Sequence, residues 1–208
     1  MIECKTIGPL FTNCYIISND KKECVIIDPG MGFGKVYDYV KANYIVKAIL
    51  LTHAHIDHID GLQYFINDDI PVYIGDNEED NLYDEEVSLY DSFSMRANPF
   101  NPGMFNVIPV SHGTLIKISD MEFKVLFTPG HTEGSVCYLF GKFLFSGDTL
   151  FNSSVGRTDF PTGDGYTLLK SLKFLIDNLD DDVIVYPGHN DITTIGQERK
   201  YNPWCQQK

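Results

Sequence analysis

Positive charge is scarce. Lysine and arginine together number 16 against 29 aspartates and glutamates, for a formal net charge of −13. An acidic surface repels nucleic-acid phosphates and anionic lipid headgroups, so neither nucleic acid nor a membrane surface is an expected partner. Long apolar runs are missing as well, and no stretch reaches the roughly 20 residues of a membrane-spanning helix. The five cysteines, Cys4, Cys14, Cys24, Cys137 and Cys205, are odd in number, widely spaced and without a C-x-x-C pair. That excludes a disulfide framework and a thiolate zinc finger; reduced thiols packed mostly in the core are expected. Met1-Ile2-Glu3-Cys4-Lys5 offers no basic segment followed by an apolar one, so no secretory signal is expected and the cytoplasm is the default location. Linkers, low-complexity tracts and repeats are also lacking.

What is present suits one compact domain over residues 1–208: 43% of residues are hydrophobic, enough for a sizeable core. The acidic runs Asn77-Glu78-Glu79-Asp80 and Asp84-Glu85-Glu86 read as a solvated face. Short apolar runs alternate with turns. Cys14–Ser18 and Cys24–Ile27 form a hairpin across Asn19–Lys22, and a helix follows near Lys35–Asn43. Ala48–Leu51 is a strand, Ile59, Leu62, Phe65 and Ile66 have helical spacing, and Pro71–Ile74 is a further strand. Strand-like runs resume at Val107–Val110, Leu115–Ile118, Glu122–Phe127, Val136–Phe140 and Phe143–Phe145. The helix carrying Leu168, Leu172, Leu175 and Leu179, a strand at Val183–Tyr186 and a helix at Thr193–Tyr201 complete the chain. Strands and helices mix in both halves, which predicts two sheets face to face with helices outside. Residues 76–106 read as a helix plus a long loop, with a lid and an ordinary surface excursion equally open.

The chemistry concentrates at strand ends. Thr52-His53-Ala54-His55-Ile56-Asp57-His58 follows an apolar strand and precedes a helix, placing three imidazoles and a carboxylate within six residues. Imidazole nitrogen is a good ligand for zinc and iron. Four ligands from so short a segment suit two adjacent ions better than one. Three further turns each set a ligand-type residue beside a glycine just past a strand: Thr128-Pro129-Gly130-His131, Ser146-Gly147-Asp148-Thr149 and Tyr186-Pro187-Gly188-His189. Five of the six histidines occupy such positions; His112, in Ser111-His112-Gly113, reads as a turn residue.

This constellation resembles the metallo-β-lactamase superfamily, and within it the small glyoxalase II-like (hydroxyacylglutathione hydrolase-like) hydrolases, over nearly the whole chain. The resemblance implies a mixed α/β, four-layer αββα sandwich with the metals at one end. It implies that His53, His55 and His131 bind the first of two divalent ions, that Asp57, His58 and His189 bind the second, and that Asp148 bridges both. Zinc is the expected metal, with iron and manganese as alternatives. Asp148 stands where lactamases typically carry cysteine, which disfavours β-lactam hydrolysis. Val155-Gly156-Arg157-Thr158-Asp159-Phe160-Pro161 looks like the same small branch and also like persulfide dioxygenases. Arg157 is the candidate substrate-binding residue, through a bidentate grip on a carboxylate; a structural salt bridge to Asp159 is the alternative. The longer glyoxalase II enzymes carry a helical C-terminal region with glutathione contacts, whereas this chain ends at Lys208, so glutathione dependence stays open.

The implied reaction is hydrolysis of a small-molecule acyl thioester by hydroxide held at two metals, with Asp57 and Asp148 as the catalytic carboxylates and Asp28 or Thr52 orienting imidazoles from behind. The alternatives are a mononuclear iron persulfide dioxygenase using His53, His131 and Asp148, a lactonase or phosphodiesterase on the same metal core, and a metal-binding module without catalysis.

Overall fold

The computed structural model describes residues 1–66, 68–93 and 97–206. Its first six strands, β1 (Ile2–Ile7), β2 (Thr12–Ser18), β3 (Glu23–Ile27), β4 (Ile45–Leu50), β5 (Pro71–Gly75) and β6 (Asn106–Val110), lie side by side in chain order. The first three pair antiparallel, and β3 to β6 pair parallel. Helix α1 (Gly34–Asn43) links β3 to β4. Helix α2 (Ile56–Ile59), continued by a 3₁₀ stretch at Asp60–Phe65, links β4 to β5, and the short α3 (Tyr90–Phe93) precedes β6.

The second sheet holds β7 (Leu115–Ile118), β8 (Met121–Phe127), β9 (Val136–Phe140) and β10 (Phe143–Gly147). After a small hairpin of β11 (Leu150–Phe151) and β12 (Ser154–Val155), helix α4 (Gly165–Asn178) crosses over. The chain then returns through β13 (Ile184–Pro187), β14 (Thr193–Thr194) and α5 (Ile195–Tyr201). The strand order is β14-β13-β10-β9-β8-β7, with β10 and β13 parallel.

Period-two alternation along each strand builds three apolar layers. Tyr15, Ile17, Val25, Ile27, Ala48 and Leu50 point inward and meet Phe123, Val125, Val136, Tyr138 and Phe145 between the sheets. Their neighbours Cys14, Ile16, Cys24, Ile26 and Ile49 point outward, onto Phe33 just before α1, Val36 and Val40 of α1, and Ile56, Ile59 and Leu62 beyond β4. Leu126, Cys137, Leu144 and Val185 do the same for the second sheet, against Leu168, Leu172, Leu175 and Ile195 of α4 and α5. The result is the expected αββα sandwich. Burial on both faces explains why these strands read as continuous apolar runs.

Four local features differ from the sequence reading. The helix expected around Ile59–Ile66 begins at Ile56 and tightens to 3₁₀ from Asp60; Gly61 donates its N–H to the Pro29 carbonyl at 2.7 Å instead of continuing the α-helical ladder. The first two residues of the expected helix at Thr193–Tyr201 pair with β13, and Thr194 caps α5 by accepting from the Gln197 N–H at 3.2 Å. Glu78, read as part of a solvated face, is fully buried. The segment 76–106 holds a 3₁₀ turn at Asp80–Leu82 and α3; its residues 94–96 lie outside the described residues, as do 207–208. All five cysteines are free, and Cys14, Cys24 and Cys137 are in the core, whereas Cys4 is exposed. No described helix is long and apolar enough to cross a membrane.

Candidate metal centre

The turn after β4 is built around Asp28, the residue that ends β3 at a left-handed φ of 52°, a conformation Asp tolerates better than most side chains. Its carboxylate accepts from the Thr52 N–H at 2.8 Å and from the Thr52 hydroxyl at 2.7 Å. The same carboxylate lies 2.9 Å from His58 Nδ1, and the Thr52 hydroxyl lies 3.1 Å from His53 Nδ1. One buried aspartate therefore contacts two imidazoles, His58 directly and His53 through Thr52.

Three ring nitrogens then close on one point. His53 Nε2 is 3.1 Å from His55 Nδ1, and His131 Nε2, arriving from the second sheet, is 3.2 Å from the first and 3.0 Å from the second. Three imidazoles packed this way lack the protons for a closed ring of hydrogen bonds. Nitrogens held at about 2.0–2.1 Å around a tetrahedral ion lie roughly 3.3 Å apart, close to the spacing found. His131 is locked from behind, its Nδ1–H donating to the Arg157 carbonyl at 2.7 Å.

A second convergence adjoins the first. His58 Nε2 is 3.4 Å from Asp57 Oδ2, and His189 Nε2 is 3.2 Å from the same oxygen. The carboxylate of Asp148 reaches both sets, at 3.4 Å from His58, 3.5 Å from His189 and 3.6 Å from His131. Two anchors were not foreseen: Thr12 donates its hydroxyl to Asp57 Oδ2 at 2.8 Å, and the Leu10 carbonyl accepts from His189 Nδ1 at 3.1 Å. Gly188 is demanded by close approach, because a Cβ there would sit 2.3 Å from Asp148 Oδ1 and 2.8 Å from a His58 ring carbon.

The donor set fits divalent cations. Buried side-chain atoms without a hydrogen-bond partner among the described residues include His58 Nε2 and Asp148 Oδ1, which face each other at 3.4 Å. Leaving such groups unpaired in a core is costly, and a cation between them satisfies both. Burial, followed by the neighbouring imidazoles, holds His53 far below the usual histidine range and His55 near about 3, so both are neutral and ready to ligate. Burial pushes the Asp148 carboxyl up, but His58 and His189 draw it down to about 2; burial likewise opposes, and His58 overcomes, in Asp57, which ionises well below the ordinary range. For His58, burial is outweighed by Asp57, Asp148 and Asp28, which favour the charged ring. A cation held by His58 would take the place of that proton.

All seven candidate ligands thus come together. The cluster floors a cavity of about 430 Å³ walled by Leu10, Leu89, Phe93, Phe151 and Phe160. Arg157 lines the same cavity, but its side chain grips Asp159 in a bidentate pair at 2.7 and 2.6 Å and stacks on Phe160 at 3.9 Å. His112 stays outside the cavity: it accepts from the Phe127 N–H at 3.2 Å and packs edge-on against Phe174, a turn residue as expected. Glu78 was missed altogether. It accepts from the Ala54 N–H at 3.1 Å and the Gly134 N–H at 3.2 Å, and nothing in an acidic run signals such burial.

Comparison with known proteins agrees with this geometry. Residues 7–189 match the metallo-β-lactamase superfamily, and the chain belongs to that family. A hydroxyacylglutathione hydrolase of Haemophilus influenzae is 35% identical over 205 residues, 94% of this chain and 93% of the relative. The structure of the BLEG-1 B3 metallo-β-lactamase superposes with a TM-score of 0.87 at 35% identity, covering 100% of both chains. That of TTHA1623 in a di-iron-bound form gives 0.82 at 33% identity, over 97% of this chain and 99% of the other. Fold, family and site together define a metal-dependent hydrolase of this superfamily.

Proposed function

We propose that the chain hydrolyses acyl thioesters of the hydroxyacylglutathione type, using two divalent cations, zinc foremost. One observation carries the reading: two adjacent ligand sets, His53–His55–His131 and Asp57–His58–His189, share the Asp148 carboxylate. Cations seated there lower the pKa of water and polarise an acyl oxygen.

The chain's own residues supply position and selectivity. Asp57 is aimed by Thr12, and Asp148 spans both sets, so the two carboxylates fix where a water and an acyl carbon meet. Phe93, Phe151 and Phe160 give the acyl-bearing part an apolar wall. A thiolate of pKa about 8.5 departs without a strong general acid, which suits a cavity whose His and Asp side chains are committed to the clusters. Arg157 is the candidate partner for a substrate carboxylate, released from Asp159 when substrate binds.

A mononuclear iron persulfide dioxygenase needs only His53, His131 and Asp148; the complete second set weighs against it. The β-lactamase among the similar structures makes β-lactams part of the test, as are lactones. Metal content of the purified protein is to be measured beside hydrolysis of S-lactoylglutathione, a lactone and a β-lactam, and beside oxygen uptake with glutathione persulfide. Two cations per chain and a preference for the thioester are expected. One iron with oxygen uptake, or a preference for the β-lactam, would overturn the proposal.

A further inference from the structure

We infer that Glu78 is a positioning residue for the three-histidine cluster, clamping the loop that carries His55 to the loop that carries His131. The inference rests on the reading that these histidines hold a cation. His53 and His55 come from the turn after β4 in the first sheet and His131 from the loop after β8 in the second, so the spacing between the two loops is set by tertiary contacts. His53 is oriented through Nδ1 by Thr52, and His131 through Nδ1 by the Arg157 carbonyl. His55 has no such hold. Its Nδ1 faces the cluster, and its Nε2 is buried without a partner. Phe160 packs edge-on to the ring at 5.7 Å, and the rest of its direction follows from the backbone on either side of it.

That backbone is tied at two points. The Ile56 N–H donates to the Ser88 carbonyl at 2.8 Å. On the other side, the Ala54 N–H donates to one carboxylate oxygen of Glu78, and the second oxygen accepts from Gly134 in the loop after His131. Fully buried, Glu78 bridges both ligand loops with its two oxygens. The contact is close: a Cβ on Gly134 would lie 2.5 Å from Glu78 Cγ. Thr132, next to His131, also hydrogen-bonds the carboxyl. A side chain that merely filled space would not need two backbone donors from two different ligand loops.

The test uses Zn²⁺ alone, titrated calorimetrically into metal-free full-length protein, with the histidine ring ¹⁵N spectrum recorded before metal is added. Glu78→Gln keeps the shape but removes one acceptor; Glu78→Asp keeps the carboxyl on a shorter stem. Glu78→Gln is expected to weaken one of two Zn²⁺ affinities by about 10–100-fold, leave the other within about threefold, and move the His55 ring signals in the metal-free protein. Where Glu78→Gln does not fold, Glu78→Asp is expected to give the same selective loss. Two wild-type affinities in either folded variant, or equal loss at both sites, would overturn the role of Glu78. Absence of Zn²⁺ binding by the wild-type protein would instead sink the metal reading itself, and the inference with it.

Discussion

Asp28 Oδ2 lies 2.9 Å from His58 Nδ1 and 2.7 Å from the Thr52 hydroxyl that in turn reaches His53. One oxygen thus steers an imidazole in each of the two ligand sets. Removing it should loosen both. Asp28→Asn keeps the left-handed backbone that Asn also tolerates, so it removes the charge and one acceptor oxygen without straining the turn. Its affinity for Zn²⁺ is expected to fall about 10–100-fold, measured by competition with a chromophoric chelator. Asp28→Ala, with the backbone strained as well, should also lower the melting temperature; wild-type affinity in Asp28→Asn would remove Asp28 from this role.

The shared carboxylate makes the two ligand sets separable. His58→Ala or His189→Ala should leave the three-histidine cluster intact and reduce the metal count from two to one. Hydrolysis should drop by at least about 100-fold, some 2.7 kcal/mol of transition-state stabilisation. Metal analysis and thioester kinetics on one preparation decide the matter. A one-metal variant with full activity would show that the second set is not part of the catalytic apparatus.

The seven candidate ligands were legible in the sequence because metal chemistry confines such residues to a few types, and because strand ends followed by Gly turns mark where they project. β2, β3 and β10 were legible because both faces are buried. β1 was not: Ile2-Glu3-Cys4-Lys5-Thr6-Ile7 mixes charge into an edge strand in which only Ile7 is buried. Glu78 was misread because its burial depends on Ala54 and Gly134, 24 and 56 residues away, and neighbouring acidic residues carry no trace of those partners. Thr12 escaped for the same reason, its acceptor lying 45 residues on.

The pairing of Arg157 with Asp159 separates binding from stability. The pair is exposed, with both side chains more than half accessible, so it contributes about 0–1 kcal/mol. Arg157→Ala should therefore move the melting temperature by no more than about 4 °C. For a substrate carboxylate held by the guanidinium, KM for S-lactoylglutathione should rise about tenfold with kcat little changed, because the contact lies away from the reacting atoms. Asp159→Asn frees the guanidinium and should lower KM. An unchanged KM in both variants would assign Arg157 to a surface salt bridge, leaving its carbonyl, which holds His131, as its contribution to the site.

The buried carboxyl of Glu78 predicts a pH dependence of stability. Burial raises it to about 7 from an ordinary value of 4.5, against the hydrogen bonds from Thr132, Gly134, Asn81 and Ala54. The folded chain thus keeps a proton on Glu78 over a range where the unfolded chain has released it. Stability linked to that proton is complete below about pH 4.5 and is lost as pH rises through about 7. Glu78→Gln cannot titrate there, so the difference in unfolding free energy between wild type and variant should change from about pH 4.5 to about 7, in the direction of wild-type loss, and level off above that. Groups other than Glu78 are common to both proteins and cancel in the difference. Urea unfolding of metal-free protein at half-unit steps measures it directly. Parallel curves across that range would mean that Glu78 is already ionised in the folded core, its four hydrogen bonds outweighing the cost of burial.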